Sequence, residues 1–183
     1  MNRRLRLLLV VVFALSACAL SFAQRGYWRR QRVIDPNVID RRGVPDWEND
    51  AEFKNDVFTF VRVRYTSMYD GYGWGKWAID WPDSDLNFPF RLHELTSLEV
   101  APEPRILELT DEELLDYPFV YLIEPGHMML SEGEVAGLRR YLLNGGFLMV
   151  DDFWGEEEWN QFHVNLKRVF PDREPEELPL EHP

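Results

Sequence analysis

The run Val57-Phe58-Thr59-Phe60-Val61-Arg62-Val63-Arg64-Tyr65 has a period of two. Phe58, Phe60 and Arg62 share one side, and Val57, Thr59, Val61, Val63 and Tyr65 the other, which predicts a strand buried on at least one face. Residues 66–90 show no such period and read as a long irregular stretch, in which glycines alternate with aromatics before a run of acids. Phe88 to Thr96 reads as a short amphipathic helix with Phe90, Leu92 and Leu95 inward. A strand–helix rhythm follows. Ile106 to Leu109 is a short strand, and Thr110 with Glu113 predicts a capping box for a helix that Pro118 ends. Phe119 to Ile123 is continuously apolar, as strands buried on both faces of a parallel sheet are. Ser131 with Glu134 predicts a second capping box, and a helix over 132–144 lines up Val135, Leu138, Leu142 and Leu143. Asn144-Gly145-Gly146 stops it, glycine taking the left-handed position. Phe147 to Val150 predicts another buried strand, and Glu156 to Phe170 a last helix with Trp159, Phe162, Leu166 and Val169 inward. Alternation of this kind predicts an α/β fold with a mostly parallel sheet.

The chain ahead of this body changes the picture. Arg3, Arg4 and Arg6 precede an unbroken apolar run from Leu7 to Ala14, followed by small residues. The stretch is short for a membrane span, which needs about 20 apolar residues. Residues 1–23 therefore read as a secretory signal peptide. Two cleavage readings stand: Ser21-Phe22-Ala23 before Gln24 suits ordinary signal peptidase, and Leu15-Ser16-Ala17-Cys18 resembles a bacterial lipobox in which Cys18 would be lipidated. The expectation is an exported bacterial protein, periplasmic or secreted, with a membrane-anchored lipoprotein as the alternative. Residues 24–56 carry Arg, Asp, Pro and Gly with little apolar period and read as a flexible linker, leaving 57–183 as the folded domain. The tail Pro179 to Pro183 stops without a finished element, so this domain is expected to be incomplete.

Charge and inventory exclude several functions. Of 183 residues, 20 are Lys or Arg and 32 are Asp or Glu. Removing residues 1–23 takes away three arginines and no acid, leaving 17 bases against 32 acids. A field of that sign argues against nucleic acid held by its phosphates and disfavours anionic lipid, so membrane contact is expected only through the leader or a lipid anchor. A local basic patch could still bind an anion, the best candidate being Arg25, Arg29, Arg30, Arg32, Arg41 and Arg42. The single Cys, Cys18, lies in the leader, so neither an intrachain disulfide nor a thiol nucleophile in the mature domain is available.

Several motifs together resemble a known family. They are Phe60-x-Arg62-x-x-Tyr65, Trp77-x-x-Asp80-Trp81-Pro82-x-x-Asp85-x-Asn87-Phe88, Tyr117-Pro118-Phe119, and Leu138-x-x-Tyr141-Leu142-x-x-Gly145-Gly146-Phe147-x-x-x-Asp151-Asp152-Phe153. From about residue 57 to the end the chain is similar to the bacterial domain of unknown function 4159. That resemblance implies a flavodoxin-like three-layer sandwich of the class I glutamine amidotransferase-like superfamily, and no established activity. Amidotransferases of that superfamily place a nucleophilic Cys at the sharp turn after a buried strand. The comparable strand here runs into Glu124-Pro125-Gly126-His127.

In open parallel sheets, ligands bind beyond the carboxyl ends of strands. Asp151 and Asp152 end one predicted strand, Glu124 and His127 follow its neighbour, and the loop with Asp80, Asp83 and Asp85 leaves the first strand. Carboxylates converging there would suit Mg²⁺ or Ca²⁺, with Asp151 and Asp152 as the candidate ligands, or could act as acid and base. The competing reading is structural: Asp151 and Asp152 cap the next helix, and Asp80 and Asp85 close loops or pair with Arg62 or Arg91. Tyr69, Tyr72, Trp74, Trp77 and Trp81 either offer a stacking platform to a sugar or protein, or fold back over the sheet edge. Glu156-Glu157-Glu158 reads as a solvated helix start, and no two of the four histidines have metal-ligand spacing. The expected function is a non-catalytic binding or assembly module of the cell envelope, without a cofactor. Its ligand-binding residues would be Trp77, Asp80, Trp81, Asp85 and His127, and its partner an envelope protein or glycan. The alternative is a divalent-cation-dependent hydrolase at the same edge.

Overall fold

The computed structural model describes residues 39–53, 56–68 and 75–182. The leader, Cys18, Arg25 to Arg32, Tyr69, Tyr72 and Trp74 lie outside the described residues. Four strands form one parallel sheet: β1 (Val61–Arg64), β2 (Arg105–Glu108), β3 (Phe119–Ile123) and β4 (Phe147–Asp151). Their spatial order is β2-β1-β3-β4, with Arg62 opposite both Ile106 and Tyr121, and Ile123 opposite Asp151. This is the order of a flavodoxin-like α/β sandwich. Helix α1 (Asp83–Leu95) links β1 to β2, α2 (Glu132–Leu143) links β3 to β4, and α3 (Gly155–Val169) follows β4.

The period-two pattern of β1 divides the interior. Val61, Val63 and Tyr65 join Leu107, Val120 and Leu122 under α2 and α3, where Val135, Leu138, Tyr141 and Val169 complete the larger core. Phe60, Tyr121 and Ile123 form a smaller cluster on the opposite face. Phe88 of α1 meets it, its ring 5.4 Å from Phe60 and 6.2 Å from Phe119. Gly137 brings α2 down on the larger core, since a Cβ there would stand 1.9 Å from the carbonyl oxygen of Leu109. The Ser131–Glu134 capping box forms on both sides, and Glu134 also accepts from the Thr66 backbone N–H at 2.7 Å. One carboxylate thereby starts α2 and fastens the end of β1.

Several expectations are corrected. The helix placed over 88–96 begins at Asp83 and carries Pro89 inside it. Its buried residues are Asp85, Leu86 and Pro89, whereas Leu95 is exposed. Pro82 stands at its N-cap. The Thr110 capping box does not form: Glu112–Asp116 is a short 3-10 turn, and Asp111 accepts from the backbone of Glu108 instead. β4 is not buried. It is the sheet edge, with Phe147 and Met149 exposed on the face α1 leaves open. On α3, Trp159 is exposed and Asn165 is buried, donating to the Met128 carbonyl and accepting from the Leu130 N–H. Residues 39–50, expected as linker, lie on the domain. Trp47 stacks on His93 at 4.6 Å and donates to the Val100 carbonyl, and Arg41 donates to that of Pro102.

Candidate functional site

Because β2 and β3 flank β1 on opposite sides, the chain reverses direction across the sheet between β1 and β3. A ligand crevice is expected outside the carboxyl ends at that point. The segments leaving β1, β3 and β4 are knit together there. Met68 N–H donates to the His127 carbonyl, Met129 N–H to that of Thr66, and Glu124 N–H to that of Asp151. The Tyr65 hydroxyl reaches the carbonyls of Ile123 and Glu124 at 2.9 and 2.8 Å. Lys76 Nζ crosses from the post-β1 segment to Glu124 Oε2 at 3.1 Å. The tryptophan-bearing segment and the twin aspartates therefore share one rim.

On that rim the acids divide into two groups. Asp85 is fully buried, its carboxylate forked against the Arg62 guanidinium with Nε–Oδ1 at 2.8 Å. Arg62 also donates to the carbonyls of Trp77 and Ile79 and to Ser84 Oγ. Asp85 is a structural counterion that closes the loop after β1. The Arg62 guanidinium sits 5.3 Å from the Tyr121 ring centroid, and the Tyr121 hydroxyl donates to Asp151 Oδ2 at 3.0 Å. Burial and the bond to Asp151 push the Tyr121 phenol far above its ordinary range, so it stays a donor. Trp81 is buried and Trp77 half-buried against the larger core, with Arg64 5.6 Å from the Trp77 ring centroid. Asp80 is exposed, in the left-handed backbone region at φ 58°. Asp85 and the Trp77 carbonyl hold the loop to β1 through Arg62, while the Asp80 carbonyl accepts from Ser84 within the same segment.

The second group faces outward. Asp152 has φ 58°, which costs a non-glycine residue about 1–3 kcal/mol and is commonest at functional sites. Its carboxylate accepts from Trp154 Nε1 at 2.8 Å. Phe153 packs inward on Trp159 and Phe162, which turns Trp154 out to 77% exposure. Val150, Asp151, Asp152, Phe153 and Trp154 line an open depression of about 360 Å³. Beside it, Glu124 stands at φ 54° on the sharp turn after β3. His127 Nε2 lies 3.4 Å from Glu124 Oε2 and 3.3 Å from Glu158 Oε1. Gly126 makes this approach feasible, because a Cβ there would come within 2.3 Å of Glu158 Cβ. Trp154 and Glu158 are the residues that sequence reasoning missed. An aromatic directly after Asp151-Asp152-Phe153 was an available signal for the first. Nothing in the Glu156–Glu158 run singled out the second.

A family model described as "Domain of unknown function (DUF4159)" matches residues 59–183. The chain belongs to that family. The DUF4159 match begins just ahead of β1 and includes every element of the rim, so the sheet, Glu124, His127, Asp151, Asp152, Trp154 and Glu158 all fall within it. The stretch 39–53 that docks on α1 precedes it. No curated protein matches the chain significantly.

Proposed function

We propose that this DUF4159 protein is an exported bacterial envelope domain that works as a binding module, and that it takes a hydroxyl-rich envelope glycan at the Asp151–Trp154 depression. The observation that carries this reading is Trp154: a large indole left 77% exposed yet held in place by its own Nε1–H bond to Asp152. A fixed aromatic plane stacks on the C–H face of a sugar ring at little entropic cost, and neighbouring carboxylates accept the ring hydroxyls. Binding is favoured over turnover because Asp85, one of the acids considered for chemistry, is buried and committed to Arg62. Export rests on the leader pattern of residues 1–23. Among the described residues no helix is long and apolar enough to cross a membrane.

Calorimetric titration of the mature chain with soluble N-acetylglucosamine oligomers tests the reading. Binding that weakens by about tenfold or more in Trp154→Ala and Asp152→Asn, a loss of roughly 1.4 kcal/mol, supports it. No binding, or equal affinity in wild type and Trp154→Ala, overturns it. Mass spectrometry of the mature N-terminus reads the export step, with Gln24 indicating free secretion and acylated Cys18 an anchor.

A further inference from the structure

We infer that Glu124, His127 and Glu158 form a transition-metal site, selective for Zn²⁺-like over Mg²⁺-like cations. Among the described residues this is the group whose ligand atoms all lie within 4.8 Å of one another. It draws on two elements far apart in sequence. Glu124 and His127 flank the turn after β3, and Glu158 lies in the N-terminal part of α3.

The distances from His127 favour a metal site over a simple ion pair. A protonated histidine bound to a carboxylate sits at about 2.7–2.9 Å. His127 Nε2 is instead nearly equidistant from two carboxylate oxygens, at 3.4 and 3.3 Å. Those separations are long for charge-assisted hydrogen bonds. Both match the edge of a tetrahedron with metal–ligand bonds of about 2.0–2.1 Å, about 3.3–3.4 Å, and the two carboxylate oxygens lie within 4.8 Å of each other. The side chains are 13–25% exposed, so the donors are largely desolvated. Glu158 is oriented by its other oxygen, Oε2, which accepts from the Trp154 N–H at 2.6 Å. That bond leaves Oε1 toward His127. One imidazole nitrogen with two carboxylates suits Zn²⁺ or Mn²⁺, whereas Mg²⁺ and Ca²⁺ prefer all-oxygen shells. Lys76 holds the ligating oxygen of Glu124 at 3.1 Å, so its ammonium competes with the cation and must swing away when one binds. The twin aspartates, the expected ligands, are bonded instead to Tyr121 and Trp154.

The competition by Lys76 gives a test with two opposite signs, independent of any glycan. Zn²⁺, Mn²⁺ and Mg²⁺ are titrated calorimetrically into the full mature chain and into Glu158→Gln, Lys76→Met and, as a control, His163→Gln, with circular dichroism confirming the fold of each. One Zn²⁺ per chain is expected, with affinity falling at least about tenfold in Glu158→Gln, rising severalfold in Lys76→Met and unchanged in His163→Gln. Mg²⁺ should bind far more weakly. No Zn²⁺ uptake by the wild type, uptake equal in folded Glu158→Gln, or weaker binding in Lys76→Met would overturn the site. Should Glu158→Gln fail to fold, the direction of the Lys76→Met change decides alone.

Discussion

Arg62 and Asp85 are both fully buried and face each other across the sheet–helix interface, a guanidinium on β1 against a carboxylate on α1. Taking such charges out of water is costly, and the pair recovers the cost only because every remaining donor of Arg62 is also used. Its consequence is positional. The pair draws the Trp77–Ser84 segment onto the sheet and sets where the post-β1 chain meets the rim.

Breaking one partner should therefore hurt far more than replacing both. Asp85→Ala leaves Arg62 buried and unpaired, with an expected loss of about 3–5 kcal/mol in denaturant unfolding. The double variant Arg62→Met, Asp85→Leu should recover most of that loss. A double variant no more stable than Asp85→Ala would show that the pair is not the unit that matters.

Two glycines on α2 should respond with opposite signs. Gly137→Ala forces a methyl against the Leu109 carbonyl, and an interior with no room gives a loss of about 1–3 kcal/mol or more. Gly133 is four residues earlier, where a Cβ would meet Thr110 Cγ2 at an ordinary 3.5 Å. Gly133→Ala should stabilise by about 0.4–1 kcal/mol through the unfolded chain. Thermal unfolding of the two variants compares them directly.

The buried Tyr141 makes stability fall in alkali. Burial raises its phenol to about 12 from an ordinary 10. Between those values the unfolded chain has lost a proton that the folded chain keeps. Stability from this group is therefore whole below pH 10 and is lost as pH rises toward 12. Unfolding measured from pH 9 to 12 should show a shallower decline in Tyr141→Phe than in wild type. Parallel curves would remove Tyr141 from the account.

How much of this was readable beforehand depended on whether the signal was local. Phe119 to Ile123, the Ser131–Glu134 capping box and the Asn144-Gly145-Gly146 stop each announce themselves within a few residues, and the α/β reading followed from their alternation. The motif spacing of Asp80 to Phe88 and Asp151 to Phe153 carried the family. The edge position of β4 was not readable, because four apolar residues in a row look alike in a central and an outer strand until the neighbours are known. Nor was Glu158, which reaches His127 only because Gly126 lets α3 approach the β3 turn. Glu124 and His127 were placed at the correct edge from strand ends alone. Asp85 was readable both as a ligand and as the partner of Arg62, and burial decides for the second.

The most direct measurement of the central claim is a map of amide chemical-shift changes in the labelled mature domain as an N-acetylglucosamine oligomer is added. The account predicts the largest changes at Asp151, Asp152, Phe153 and Trp154, with smaller ones at Glu124 and His127 on the same rim. Changes centred instead on the opposite end of the sheet, around Tyr117 and Gly145-Gly146, or no changes at saturating sugar, would contradict it.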